Sequence, residues 1–500
     1  MALFSKPPSP GTLHAALFNK RVHRNFIVAA CGFVVIVMLL LWNHRPRVGQ
    51  GASLPRLPMF PEVASAHDFP TTSQFQPVSM DISNTTTEEL CKSFPRHMLA
   101  TVQPILKTGY SESRERFESG MDSVSACFAP GELLIFSDLQ SSERGHEIID
   151  IIGYLPDTYG EHEQYQNYID QKEMKANGTL DSDPEAHERI DGWALDKFKF
   201  LPGIQKAWEM RPNKDFYVFY ESDTYIFWDN MFRHLQSLDP DQPLYFGSPS
   251  PGRDSQERNQ KSWFANGGPG YVLSRATMKK ILHRRSGPTG HYIDPPFLEK
   301  WRHLHHKVEC CGDSILGWVI YESEIVLQGY YPMFTPYRLQ DVPYNDKHWC
   351  QPILTLHKPH PSDMVELFKW EFANRKSATP LTYSDLWQYR KPGSVNIRKD
   401  WNNEGGGTHR APTSVDTVEA CEQFCRDDAL CMQWMWKGQD VNECTTMYYL
   451  REGEQRTPGT EGDKKVDFTS GWLIDRADAW RQSDNCSSPQ WPGPSLSRIY

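Results

Sequence analysis

FYVFYESDTYIFWDN, residues 216–230, decides how this chain is read. Residues 216–220 are aromatic or β-branched and uncharged, the pattern of a strand buried on both faces, and the acidic triplet Glu221-Ser222-Asp223 falls where that strand ends. In open α/β sheets, ligands bind outside the carboxyl ends of the strands. An x-x-Asp at that point can hold a hard divalent cation against a diphosphate. Two other acid pairs, Asp181-Ser182-Asp183 and Asp239-Pro240-Asp241, have no apolar strand before them and read as solvated turns.

The 500 residues exceed one typical domain, so a large domain with something smaller is expected. The net charge of −10 is spread along the chain and no basic stripe appears, which argues against a nucleic-acid partner. Residues 26–42, FIVAACGFVVIVMLLLW, form an uncharged run at the lower length limit for a membrane-spanning helix. Lys20, Arg21 and Arg24 precede it, no acid occurs before Glu62, and Arg45 and Arg47 follow, so the bias is mild but favours a cytosolic N-terminus. A cleaved signal peptide fits less well, because the preceding segment is long and no small-x-small site follows. Of eleven cysteines, all but Cys31 lie beyond this run, an even set suited to an oxidising lumen; the sequons at Asn84, Asn177 and Asn485 lie there too. The expected organisation is a cytosolic tail (1–24), a transmembrane signal anchor (25–42), a flexible Pro/Ser/Thr-rich stem (43–90), a large domain (91–395), a linker (396–410) and a disulfide-rich module with a tail (411–500).

Within the large domain, short apolar runs at 132–136, 216–220, 244–246 and 325–327 alternate with helical patterns at 195–210 and 274–282, which predicts a mostly parallel sheet. In the module, Cys421 and Cys425 stand one helical turn apart on one face, followed by Cys431, Gln433-Trp434-Met435-Trp436 and Cys444.

Three further segments bear on chemistry. WFANGGPGYVLSR, residues 263–275, sets Gly267, Gly268 and Gly270 before a strand-like stretch, where glycine permits close approach to a ligand or simply a tight turn; phosphate-loop signatures do not match. Asp313, after Cys310-Cys311-Gly312, opens a helical pattern and reads either as an N-cap, worth about 1 kcal/mol, or as a general base. His357 ends another apolar run and His360 follows; imidazole with carboxylate suits Mn²⁺, and position relative to the strand is what selects these two from eighteen histidines.

The order of these motifs is itself distinctive: Ser137-Asp138 after a strand, Lys197 and Lys199 at a helix entry, Glu-Ser-Asp, Gly-Gly-Pro-Gly-Tyr, Cys-Cys-Gly-Asp-Ser-Ile-Leu-Gly, then Leu-His. Over roughly residues 130–375 the series resembles the fringe and core-1 β1,3-galactosyltransferase superfamily, glycosyltransferase family 31, and most of all its divergent fungal members. The resemblance implies a GT-A-type, Rossmann-like mixed sheet in the α/β class that binds a UDP-sugar and Mn²⁺. It implies inverting transfer of a galactose- or N-acetylhexosamine-class sugar to a glycan or glycoprotein hydroxyl, β1,3-linked, in the manner of an N-acetylgalactosaminide β1,3-galactosyltransferase. It nominates Asp138, Lys199, Glu221, Ser222, Asp223, Gly267 and Gly268 for the donor, Asp223, Glu221 and His357 for the metal, and Asp313 as the base. The family's triplet is usually all aspartate, so Glu221 implies that Asp223 touches the metal directly while Glu221 acts through water or on the ribose. The module resembles PAN/apple modules, and by that resemblance Cys421 pairs with Cys444 and Cys425 with Cys431. A Golgi or ER location as a single-pass type II membrane protein follows from the same reading. The rivals are a membrane-anchored display protein binding glycan or protein through the PAN-like module, and a lumenal glycosidase, which needs two carboxylates flanking the bond and no nucleotide. Asp294 and Asp341 are the next candidates for the base.

Overall fold

The acidic triplet does end a strand of a large sheet. In chain order the strands of the large domain are β1 (Val102–Lys107), β2 (Leu134–Ser137), β3 (Ser141–Glu143), β4 (His146–Asp150), β5 (Phe216–Glu221), β6 (Thr224–Ile226), β7 (Tyr245–Gly247), β8 (Pro249–Ser255), β9 (Gln260–Ala265), β10 (Tyr271–Ser274), β11 (Gln328–Gly329) and β12 (Thr355–His357). Eight of them form one sheet in the order β11-β7-β10-β5-β1-β2-β4-β3. The neighbours β4, β2, β1 and β5 run parallel, β7 and β11 point the same way, and only β10 and the edge strand β3 are reversed, so the sheet is mixed but mostly parallel, as expected. Alternate residues of β5 enter different cores, Phe216, Val218 and Tyr220 on one face and Tyr217 and Phe219 on the other. That double burial is why the strand reads as an unbroken apolar run.

This computed structural model describes residues 56–57, 69–70, 72–77, 85–183, 185–306, 310–390, 395–405, 412–483 and 486–497. The apolar run at 26–42, the tail before it, most of the stem, part of the linker and the sequons at Asn84 and Asn485 lie outside the described residues. Among the described residues no helix is long and apolar enough to cross a membrane. The chain divides into two compact units, Met1–Arg56 with Gln256–Asn259, and Leu57–Ser255 with Gln260–Tyr500; everything described below belongs to the second.

Four helices matter for the cleft: α1 (Arg114–Met121), α2 (Gly192–Asp196), α3 (Phe200–Met210) and α4 (Gly312–Glu322). The helix expected over 195–210 is split into α2 and α3, because Pro202 has no N–H for the carbonyl of Phe198 and sits only in a first turn. Lys197 and Lys199 occupy the break. Ile325 and Leu327 are buried but pairing begins at Gln328, and Ser274 caps the helix Arg275–Leu282 by accepting the Thr277 N–H. Helix α4 packs on β9, where a Cβ at Gly317 would lie 2.2 Å from Phe264 Cβ, so glycine sets how closely α4 approaches.

After residue 395 a five-stranded sheet carries the helix Val418–Arg426, capped by Thr417. Cys421 pairs with Cys444 and Cys425 with Cys431, the connectivity that the PAN/apple resemblance implies. The other bonds are Cys91–Cys127, Cys310–Cys311 and Cys350–Cys486, so every cysteine beyond the apolar run is paired. One hydrophobic cluster includes Trp349, Cys350 and Trp387 together with Met432, Leu450, Trp472 and Cys486, and Arg390 pairs with Glu452 at 2.6 Å. Core and crosslink thus both join the small sheet to the large one.

The Cys350–Cys486 bond spans 136 residues, and closing a long loop removes much entropy from the unfolded chain. Replacing both cysteines with serine is expected to lower unfolding stability by about 2–4 kcal/mol. Chemical denaturation of the two forms would show it, and an unchanged midpoint would mean that the shared core alone holds the halves together.

Candidate active site

Strand register brings the first charged residues together. Lys107 ends β1 directly beside Glu221 at the end of the parallel β5, and its ammonium pairs with Glu221 Oε1 at 3.0 Å and also with Asp196 on α2. The chain then turns through Ser222 and Asp223 into β6, where the Thr224 hydroxyl accepts the Glu221 N–H at 3.0 Å and donates to the Gly268 carbonyl at 2.6 Å. Strand β12 pairs antiparallel with β6, His357 opposite Thr224, and the Lys358 N–H donates to the Asp223 carbonyl. Sequence-distant His357 thereby comes to 3.6 Å from Asp223.

One ligand-type atom from each of Glu221, Asp223 and His357 lies within 4.8 Å of the other two. Asp223 Oδ1 and His357 Nε2 are buried with no hydrogen-bond partner, which is costly unless something else satisfies them. Burial, then the charge of Glu221, pushes the Asp223 carboxyl up to about 7; burial pushes the His357 imidazole down to about 4, leaving its ring neutral. Burial also opposes the Glu221 carboxylate, but the charge and hydrogen bond of Lys107 together with His357 and Lys199 outweigh it and hold that group below its usual range. Two carboxylates and a neutral imidazole with orphaned atoms form a donor set that fits a divalent cation.

Glycine makes this convergence possible. A Cβ at Gly268 would fall 2.1–2.5 Å from the His357 ring, and one at Gly267 would sit 3.3 Å from Glu221 Oε1 and 3.5 Å from Asp313 Oδ2. Gly270, at φ +80°, makes the turn into β10, where Tyr271 stacks on Phe219 with ring centroids 4.9 Å apart.

Asp313 is not an N-cap. Cys311 occupies that position without a side-chain hydrogen bond, and Asp313 stands in the first turn of α4. Its Oδ2 accepts the Gly267 N–H at 2.9 Å and its Oδ1 the Ser314 N–H at 2.8 Å, while burial pushes the carboxyl up to about 6. A half-buried carboxylate titrating near neutrality is the condition a general base needs.

All the residues nominated from sequence, Asp138, Lys199, Glu221, Ser222, Asp223, Gly267, Gly268, Asp313 and His357, line one cleft of about 460 Å³. Their states differ. Asp138 and Lys199 pair with each other at 2.7 Å, nearly buried, and are further engaged by the Tyr110 N–H, Gln171 and the Thr108 carbonyl. They brace the β1–α1 loop; removing one partner of such a pair costs about 3–5 kcal/mol. The Ser222 hydroxyl is likewise spent on Glu112. His360 caps the helix Pro361–Asn374, Asp294 is held well below the usual carboxylate range by Arg285, and Asp341 is bound by Arg338 and Arg451; none of the three lines the cleft. Asp181 and Asp241, from the two other acid pairs, are exposed and ion-paired with Lys175 and Arg275.

Sequence reasoning missed Lys107, Glu112, Arg116, Trp193, Asp196 and Lys358, which share the cleft. Lys107 carried a legible signal, a single charge ending the apolar run VQPILK, as Glu221 ends its own. Arg116 Nη1 lies 3.4 Å from Asp223 Oδ2, reaching in from a helix that no motif marked.

A family model described as Fringe-like matches residues 157–333. The span contains Lys199, Glu221, Ser222, Asp223, Gly267, Gly268 and Asp313, stops before His357 and does not reach the C-terminal module. This similarity supports a glycosyltransferase. No curated protein matches the chain.

Gly268→Ala tests the convergence, since its methyl group would displace the His357 ring without touching a ligand atom's chemistry. Mn²⁺ affinity, measured by calorimetry, is expected to fall about 10- to 100-fold, the usual effect of disturbing a ligand's support. Unchanged affinity would remove His357 from the metal set.

Proposed function

We propose that this protein is an inverting, Mn²⁺-dependent glycosyltransferase that moves a galactose- or N-acetylhexosamine-class sugar from a UDP-sugar to a hydroxyl of a glycan or glycoprotein, forming a β1,3 linkage. The observation that carries the reading is one cleft at the strand ends holding both the Glu221, Asp223 and His357 cluster and the half-buried, upshifted Asp313. The similarity to Fringe-like proteins over 157–333 supports the reaction class.

Asp223, Glu221 and His357 would hold the cation, with Asp223 the direct carboxylate ligand, because Glu221 is already shared with Lys107. When bound, the cation supplies charge neutralisation for the diphosphate leaving group. Asp313 takes the acceptor hydroxyl proton onto a carboxylate oxygen as the hydroxyl oxygen forms its bond to the anomeric carbon. The bond from that carbon to the UDP oxygen breaks with its electron pair leaving on UDP, and the single displacement inverts the centre. Gly267 holds Asp313 through its N–H, and the Asp138–Lys199 pair fixes the loop at the cleft floor. The ten paired cysteines support an oxidising setting, and with the apolar run at 26–42 we place the protein in the Golgi or ER membrane, its bulk lumenal.

UDP is expected to bind more tightly with Mn²⁺ than with EDTA, and Asp223→Asn is expected to weaken that binding more than Glu221→Gln. Equal binding with and without metal would defeat the metal role, and the reverse order of the variants would exchange the two ligands.

Asp313→Asn is expected to lower transfer by about 10²–10⁴-fold while UDP binding persists, since an amide accepts no proton. The wild-type rate should rise as pH passes about 6 and Asp313 ionises. The folded carboxyl titrates above its unfolded value, so its ionisation costs stability as pH rises from about 4 to about 6. Asn removes that cost and returns one of the two backbone hydrogen bonds as a loss. A variant that keeps most of its transfer, with an unaltered pH profile, would exclude Asp313 as the base.

A further inference from the structure

Trp193 is 64% exposed, among the most exposed large apolar side chains of the described residues. A single exposed tryptophan needs no explanation by itself. Its position does, because Trp193 lines the same cleft as Asp313, and so does Asp196, one turn further along α2 on the same side. The chain leaving α2 packs beside the base: a Cβ on Gly312, the residue before Asp313, would lie 2.9 Å from the Cα of Lys197, the residue after α2, and 2.2 Å from the Phe200 ring. Asp196 gives Oδ1 to Lys107, and Oδ2 accepts no hydrogen bond among the described residues.

We propose that Trp193 is the stacking platform for a sugar ring of the acceptor, with Asp196 accepting one of that ring's hydroxyls. The acceptor is then a glycoside rather than a bare serine or threonine hydroxyl. The chemistry is that of pyranose recognition. A galactose-type ring has one face of C–H groups, which pack on an aromatic plane, and an edge of hydroxyls, which need a charged or polar acceptor within reach. An indole and a half-free carboxylate three residues apart on one short helix supply both. Lys107 couples this end of the cleft to the other, since the same ammonium holds Asp196 and Glu221. Trp193 is a specificity residue; it handles no proton and no part of the donor.

This inference rests on the glycosyltransferase reading, and the test separates the two. Methyl N-acetyl-α-galactosaminide and methyl β-galactoside serve as probes of the full-length protein in saturation-transfer NMR, with and without UDP and Mn²⁺. The C–H face of at least one probe is expected to saturate most strongly in the wild type, and Trp193→Ala to abolish the effect. In transfer assays Trp193→Ala should raise the acceptor KM about tenfold or more, the scale of losing one ring stacked on an aromatic, with UDP affinity unchanged and Trp193→Phe partly restoring the loss. Equal saturation or equal acceptor KM in Trp193→Ala would overturn the proposal, and so would transfer to a serine/threonine peptide that Trp193→Ala leaves untouched. Failure of the wild type to bind UDP would instead overturn the transferase reading, while a Trp193-dependent saturation signal would still support the sugar platform.

Discussion

Lys107 and Glu221 meet because β1 and β5 run parallel in a register that ends both strands at the same level, and the acidic end of the sheet depends on that meeting. Burial works against the Lys107 ammonium, yet Asp196 and Glu221 together hold its pKa well above the ordinary value. The converse also holds. With Lys107 fixed between them, Glu221 stays ionised in a place where an isolated carboxylate would take up a proton. The strain passes to Asp223, two residues on, which burial and Glu221 push up to about 7. Lys107 thus helps to decide which of two neighbouring carboxylates carries the burden of desolvation.

Space is the second constraint, and it belongs to the backbone. His357 reaches Asp223 only because β12 pairs with β6 and because Gly268 leaves room for the imidazole ring. Gly267 lets its own N–H reach Asp313 while Glu221 approaches from the other strand. Gly312 brings the start of α4 against α2 and α3. These are close-approach glycines, and except at Gly270 none of them needs a left-handed backbone.

The strand, the triplet, the glycine turn, Asp313 and His357 were legible in the sequence because each pairs a chemistry-bearing residue with a change in local pattern. The Cys421–Cys444 and Cys425–Cys431 bonds came through resemblance. What stayed hidden is set by contacts across the fold. Nothing local tells that Asp138 and Lys199 neutralise each other, that Ser222 is occupied by Glu112, or that Arg116 reaches Asp223. Asp313 reads as a cap or a base because an acid before an apolar helix is often a cap; the Gly267 N–H, 46 residues away, shows that its carboxylate points into the cleft. The break between α2 and α3 could have been read from Pro202, but the helical periodicity on either side obscured it.

Charge balance in the cleft gives the site its order of assembly. Asp138 and Lys199 cancel, and Lys107 is committed to Asp196 and Glu221. Arg116 leans on Asp223 from a side chain that is 44% exposed, where solvent weakens the pairing. A diphosphate entering this end would add negative charge beside the buried Asp223 and half-buried Glu221 carboxylates, an arrangement that low dielectric makes worse. A divalent cation held by those carboxylates would offset that charge. Under the proposed function, the same residues that would repel a nucleotide alone would bind it once a cation is in place, and the Asp313 end of the cleft would take the acceptor.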